Sequence, residues 1–162
     1  TGKKWYYEHI GITPDILIFG KKTQLSGIMV KDKFGEIFKK PIRLEVTWDA
    51  DITDMVRCKY IIECFKKEKI LSRVRNSAKL FNKNLSTIDG LINIRNSGLL
   101  FAVDFLDKRT RDKFVKNLTK YGLLCNPTRD LTVRFRPSLL VTNEEINLAS
   151  NIIEKASKRA NY

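Results

Sequence analysis

Lys21 is the residue whose setting most suggests chemistry. It follows Ile16-Leu17-Ile18-Phe19-Gly20, a short continuous apolar run closed by glycine, which reads as a buried strand. A lysine just beyond such a strand is held at the edge of a site. Its amine can have a lowered pKa and condense with an aldehyde to a Schiff base. Lysines after strands are more often solvated surface charges, so the local pattern alone leaves both roles open. Arg134 stands in Val133-Arg134-Phe135-Arg136-Pro137-Ser138-Leu139, where a guanidinium on a strand could clamp a carboxylate through two hydrogen bonds. Arg136 lies two residues on, on the same strand face, with a surface or ion-pair role as its default. Thr47 offers a hydroxyl that would suit a phosphate together with nearby backbone N–H groups. By itself it reads equally as a strand or turn residue.

The surrounding elements would position these groups. Trp5 to His9 reads as the end of a helix, followed by a turn at Gly11, Thr13 and Pro14. Gly27 to Val30 would make a second strand, and the charged stretch from Asp32 to Pro41 reads as loop. From about Thr53 to Leu85, apolar residues recur at helical spacing, predicting one long or bent amphipathic helix. After Asp89-Gly90, Leu91 to Arg95 and Leu99 to Phe105 read as strands joined at Asn96-Ser97-Gly98. Arg109 to Tyr121 reads as a helix stopped by Gly122, and Leu123 to Asn126 and Leu131 to Phe135 as short strands. A final helix starts at Thr142, with Glu145 completing a capping box. Its buried stripe would be Ile146, Ala149, Ile152, Ile153 and Ala156. The order is α/β, with the edge of one domain (1–75) ahead of a complete small one (76–162) and the boundary inside the long helix.

Composition narrows the function classes. The 162 residues suffice for a core, and 43% hydrophobic with 10% aromatic content is ordinary for a globular protein. No apolar run approaches the roughly 20 residues of a membrane span, and no secretory leader pattern is present. Cys58, Cys64 and Cys125 are odd in number and widely spaced, and His9 is the sole histidine. Neither a disulfide framework nor a zinc site is expected, and a reducing cytoplasm is the expected compartment. The net charge of +13 raises nucleic acid or an acidic partner. Its basic residues occur as scattered pairs (Lys3-Lys4, Lys21-Lys22, Lys39-Lys40, Lys66-Lys67) with no nucleic-acid motif beside them, which argues against nucleic acid as the main partner.

Three blocks in order carry a family resemblance. Gly11-Ile12-Thr13-Pro14-Asp15 through Gly20-Lys21-Lys22-Thr23-Gln24 resembles the cofactor-lysine segment of class III pyridoxal-phosphate aminotransferases, the ornithine and 4-aminobutyrate type. Phe19 to Gln24 in particular looks like the lysine 6-aminotransferases. Arg43 to Arg57 is similar to the family's Arg-x-Asn-Ser-Thr-Trp-Gly-Gly-Asn-Leu-x-Asp-Met-Val-Arg, and Val133 to Leu139 to its Val-Arg-Phe-Arg-Pro-Pro-Leu. Ile94 to Phe105, with Arg95 and Gly98, parallels a further family segment read as structural.

The resemblance implies the C-terminal part of a fold type I enzyme: the edge of the large domain, a connecting helix and a small α/β domain. It implies pyridoxal 5′-phosphate as cofactor, with Lys21 as the Schiff-base lysine that also shuttles protons. Thr47 would donate to the cofactor phosphate of a neighbouring subunit in a homodimer, and Arg134 would grip the substrate α-carboxylate. The implied reaction moves the ε-amino group of L-lysine to 2-oxoglutarate. The alternatives are an ornithine- or 4-aminobutyrate-type enzyme, or a non-catalytic basic interaction module. Glu45-Val46-Thr47-Trp48-Asp49-Ala50-Asp51 replaces the family's Asn-Ser-Thr-Trp-Gly-Gly-Asn, placing carboxylates around the phosphate-side threonine. The family's ring-pairing aspartate, ring-stacking aromatic and glycine-rich phosphate loop would all precede Thr1, so negligible turnover is expected of this chain alone.

Overall fold

A computed structural model describes residues 1–41, 44, 47, 49 and 51–160. The chain divides into two compact units, Trp5–Lys69 and Ile70–Tyr162, the latter joined by Thr1–Lys4.

The first unit is built on a hairpin of β1 (Ile16–Phe19) and β2 (Gly27–Val30), paired antiparallel with Phe19 opposite Gly27. The Phe19 ring lies over that glycine, where a Cβ would come within 2.7 Å of it. Trp5 packs on the other side of the ring system, with centroids 6.1 Å apart. Tyr6–His9 forms a 3-10 turn closed by the Trp5 N–H donating to Glu8 Oε1 at 2.8 Å. Asp32–Phe38, expected as loop, is also a 3-10 helix, because its polar composition does not prevent local i→i+3 bonds such as Phe34 N–H to the Lys31 carbonyl. Helix α1 (Ile52–Lys67) is capped by Asp51, whose carboxylate accepts from the Asp54 N–H at 3.1 Å. No described residue of this unit is buried.

The helical stretch expected from Thr53 to Leu85 is broken. Lys69 takes a left-handed φ of 50°, which ends α1 and lets α2 (Ile70–Leu85) start afresh. The boundary expected near residue 75 lies one turn into α2. The two helices differ sharply in burial. Met55, Val56 and Ile62 of α1 are exposed, whereas Ile70, Val74, Ala78, Phe81 and Leu85 of α2 are buried.

The second unit holds the core. Its sheet runs β3 (Ile92–Ser97), β4 (Leu100–Asp104), β6 (Thr132–Phe135), β5 (Asn126–Thr128), with every neighbouring pair antiparallel. Register places Phe101 opposite Phe135 and Val103 opposite Val133, and all four are buried on one face. There Phe81 of α2 meets Phe101 and Phe135 edge-on at 4.8 and 6.2 Å, and Phe114 of α3 (Lys108–Lys120) meets Phe105 at 4.7 Å. The last helix, α4 (Asn143–Ala160), packs on α2 and α3 through Ile146, Ile153 and Ala156. Its capping box is made: Thr142 N–H donates to Glu145 Oε2 at 2.8 Å, and Glu145 N–H to Thr142 Oγ1 at 3.2 Å. The strand expected from Leu123 to Asn126 starts three residues later, at Asn126, because Gly122 (φ 83°) and Leu123 are still engaged in closing α3.

Candidate active site

Lys21 opens a one-turn 3-10 helix, Lys21–Thr23, in the loop between β1 and β2. Its φ is 66° and that of Gln24 is 61°, both in the left-handed region that costs an L-residue roughly 1–2 kcal/mol. The loop is pinned by its own hydrogen bonds. The Lys21 carbonyl accepts from the Gln24 N–H at 3.1 Å and from Gln24 Nε2 at 3.4 Å, and Thr23 Oγ1 donates to the Leu25 carbonyl at 2.6 Å. Gly20 is required for space: a Cβ there would stand 2.6 Å from Ser26 Oγ and 3.3 Å from Ser26 Cβ. Backbone strain at a fixed lysine is a mark of functional loops. The hairpin's own carboxylate, Asp15, is committed to Lys31 at 2.9 Å and Lys33 at 3.1 Å, whose hydrogen bonds hold its pKa below the ordinary value. Among the described residues the Lys21 amine has no ion-pair or hydrogen-bond partner.

Thr47 is exposed in a turn, and its hydroxyl has no hydrogen-bond partner among the described residues. Glu45, Val46, Trp48 and Ala50, which the sequence places around it, lie outside the described residues. Asp51 has a structural employment, the N-cap of α1, so its charge meets the free N–H groups and positive dipole end of that helix.

Arg134 stands on the second face of the four-stranded sheet, the one opposite Phe101 and Phe135. Directly across from it are Ala102 of β4 and Asn126 of β5. The same face carries a four-membered polar network around Asp104. Arg95 grips that carboxylate through both terminal nitrogens at 2.9 and 3.1 Å, Thr132 Oγ1 donates to it at 2.6 Å, and Asn93 Nδ2 at 3.3 Å. Burial by itself would raise the Asp104 pKa; the hydrogen bonds from Thr132, Arg95 and Asn93 outweigh it and leave the pKa lowered. Arg136, beyond the end of β6, donates to Asn126 Oδ1 at 3.2 Å. Arg134 alone of these three arginines is exposed and free of a partner among the described residues. A free guanidinium on an open sheet face is equipped to take a carboxylate from outside.

Lys21 and Thr47 thus belong to the first unit and Arg134 to the second. Two side chains that shape this face escaped the sequence reading. Asp104 closes the network with Arg95, a pairing set by hairpin register rather than by any local motif. Arg111 is buried beside Asp112 and donates to the Arg129 carbonyl at 2.9 Å, tying α3 to the β5–β6 turn. A positive φ of 53° at Arg129 marks that turn, but only once the backbone is known.

The sequence pattern of the family described as aminotransferase class III matches residues 1–157. The chain belongs to that family. This class III chain is 32% identical to the L-lysine-epsilon aminotransferase of Mycobacterium tuberculosis over 96% of its own length and 37% of the relative's. It is 31% identical to the enzyme of that name from Streptomyces clavuligerus, covering 92% of this chain and 35% of the relative. It is also 30% identical to a probable mitochondrial 4-aminobutyrate aminotransferase of Caenorhabditis elegans, over 98% and 34%. The solved lysine aminotransferase of M. tuberculosis in its internal aldimine form superposes with a TM-score of 0.88 at 30% identity, covering 98% of this chain and 39% of that one. The chain therefore spans little more than a third of the length of the curated relatives it matches.

Class III aminotransferases are pyridoxal 5′-phosphate enzymes, and the fold is that of the C-terminal part of a fold type I member. Of the groups present, the Lys21 amine suits that cofactor's aldehyde: it stands on a strained, pinned loop with no partner among the described residues. Among the described residues no cluster of side chains could hold a metal, and no helix is long and apolar enough to cross a membrane.

Proposed function

We propose that this class III chain is the lysine-bearing portion of an enzyme that transfers the ε-amino group of L-lysine to 2-oxoglutarate. The observation that supports the reading is the Lys21 loop, which holds in left-handed backbone an amine with no partner among the described residues, in the segment that resembles the family's cofactor-lysine segment. Pyridoxal 5′-phosphate, when bound, supplies an aldehyde carbon and an electron-withdrawing ring. Lys21 Nζ would hold that carbon in the resting enzyme. Freed by the substrate amine, Nζ would take the proton from the substrate carbon that bears the transferred nitrogen and deliver it to the carbon it had held, completing a 1,3-shift. Thr47 Oγ1 donates to the phosphate, as part of a homodimer in which the threonine serves the neighbouring subunit's cofactor. Arg134 holds the lysine α-carboxylate. Residues 1–75 then belong to the cofactor-binding domain and 76–162 to the small domain, in a cytoplasmic enzyme. These groups are a minority of a catalytic site, and by itself the chain should turn over negligibly.

A second reading has its own support. The likeness to the C. elegans 4-aminobutyrate aminotransferase extends over 98% of the chain at 30% identity, so a 4-aminobutyrate- or ornithine-type amino donor fits the same residues. A non-catalytic role is favoured by α3, where Lys108, Arg109, Lys113 and Lys116 line a shallow depression and could meet an acidic partner or RNA.

Co-expression with the part of the M. tuberculosis lysine aminotransferase that this chain does not span, followed by addition of pyridoxal 5′-phosphate, tests the proposal. The expected result is a Schiff-base absorbance that Lys21→Ala removes, with L-lysine the preferred donor over ornithine and 4-aminobutyrate. An assembled complex whose absorbance is indifferent to Lys21→Ala would refute it. Salt-sensitive RNA binding without cofactor uptake would favour the non-catalytic reading.

A further inference from the structure

Arg134 owes its freedom to neighbours that are occupied. Ala102, directly across on β4, offers no acceptor. Asn126, directly across on β5, gives its side-chain oxygen to Arg136 at 3.2 Å. By register, the nearest carboxylate on this face is that of Asp104. It pairs with Thr132, two residues before Arg134 on β6, which makes it a diagonal neighbour on the same face. Such neighbours stand about 7–8 Å apart at the backbone, a span that a long side chain crosses. An arginine and an aspartate so placed would ordinarily pair. Here Arg95 takes both carboxylate oxygens from the β3 side, at 2.9 and 3.1 Å, while Thr132 and Asn93 fill the remaining directions.

We propose that Arg95 is a positioning residue: by occupying Asp104 it keeps that carboxylate off Arg134 and leaves Arg134 open to the carboxylate of an amino-acid substrate. This rests on the reading of Arg134 as the carboxylate clamp. With Arg136 engaged by Asn126, two guanidiniums on this face, Arg95 and Arg134, can reach for the Asp104 carboxylate, and the register decides which is spent on it. Arg95 lies across from Ala102 and reaches Asp104 within its own hairpin, where a two-residue connection fixes the geometry. Arg134 has no such local tie. Loss of Arg95 hands Asp104 to Arg134, and an internal charge-assisted pair on the same sheet outcompetes a dissolved carboxylate by proximity. Hydrogen bonds from Thr132, Arg95 and Asn93 lower the Asp104 pKa in the parent, and a guanidinium from Arg134 taking the place of Arg95 would act in the same direction.

Nuclear magnetic resonance on the full chain provides two arms. In the first, the Asp104 carboxyl is titrated in the parent, in Arg95→Gln and in Arg95→Gln/Arg134→Gln. The midpoint is expected to stay low in Arg95→Gln and to rise only in the double variant. A rise already complete in Arg95→Gln would overturn the inference, because Arg134 would not have taken over. In the second, L-lysine is titrated against the Arg134 side-chain Nε–H signal, with 1,5-diaminopentane, which lacks the carboxylate, as control. Binding should weaken about tenfold in Arg95→Gln and return to within about twofold of the parent in Arg95→Gln/Asp104→Asn, where no carboxylate remains to compete. Equal binding in the parent and Arg95→Gln overturns the inference. An Arg134 signal that ignores L-lysine in the parent, with the first arm as expected, instead brings down the clamp reading.

Discussion

Replacing Asp104 by asparagine should destabilise the second unit at neutral pH and be silent in strong acid. The carboxylate accepts four hydrogen bonds, two from Arg95 and one each from Thr132 and Asn93. An asparagine keeps one acceptor oxygen, which the Thr132 hydroxyl can still use, and turns an NH2 towards the Arg95 fork. The bidentate pair is lost. Hydrogen bonds to charged groups contribute about 1.5–3 kcal/mol when buried. The Asp104 side chain is 17% exposed but that of Arg95 is 51%, so solvent screening reduces the figure to about 1–2 kcal/mol. The sign with pH follows from linkage. Asp104 has a folded-state pKa below its unfolded value of 3.8, so its stabilisation is complete above that value and is lost as pH falls through the folded pKa. Parent and Asp104→Asn should therefore differ by about 1–2 kcal/mol at pH 7 and converge in strong acid, below the folded-state pKa of Asp104. Urea unfolding read from the methyl signals of Val103 and Val133, both fully buried in this unit, measures the difference without interference from Trp5 and Trp48. A gap of the same size at both pH values, or none at pH 7, would refute the ion-pair account of this face.

Other outcomes follow from burial. Phe81→Ala should cost the second unit about 3–5 kcal/mol in the same urea experiment, since the ring is 3% exposed and meets Phe101 and Phe135 edge-on; a loss under about 1 kcal/mol would contradict the packing. Burial pushes the Cys125 thiol up to about 11, so iodoacetamide should modify it more slowly than exposed Cys64 at pH 8, with a rate rising about tenfold per pH unit towards 10. Equal rates at pH 8 would show that Cys125 is not shielded. In hydrogen exchange, amides of α2, β4 and β6 should be protected up to the global stability, about 5–15 kcal/mol, while those of Trp5–Lys69 exchange early. Long-lived protection in the β1–β2 hairpin would overturn that contrast.

Much of the second unit is legible in the sequence because its signals are local. The Thr142–Glu145 capping box, the stripe of α4 and the hairpin at Gly98 each arise within a few residues, and each forms. The candidate site rests on different grounds. Nothing about a lysine after a strand singles out Lys21; the family resemblance proposes it, and the backbone shows a left-handed φ there on a loop closed by its own hydrogen bonds. Asp51 shows the opposite error. Read along the sequence it is one more charge beside Thr47, and in the fold it caps α1, because an aspartate three residues ahead of a free N–H is satisfied locally before it can act at a distance.

Helix α1 marks the limit of periodicity as evidence. Its apolar residues are spread around the helix, whereas those of α2 gather into one stripe, and Ile52 is 76% exposed while Leu85 is fully buried. Apolar content at near-helical spacing predicts the helix; only a coherent stripe predicts a buried face. The first unit carries Lys21, and among its described residues, Ile18, Ile52 and Ile62 included, none is buried; the second carries the core and Arg134. Apolar surface of that extent marks an interaction surface rather than a finished exterior.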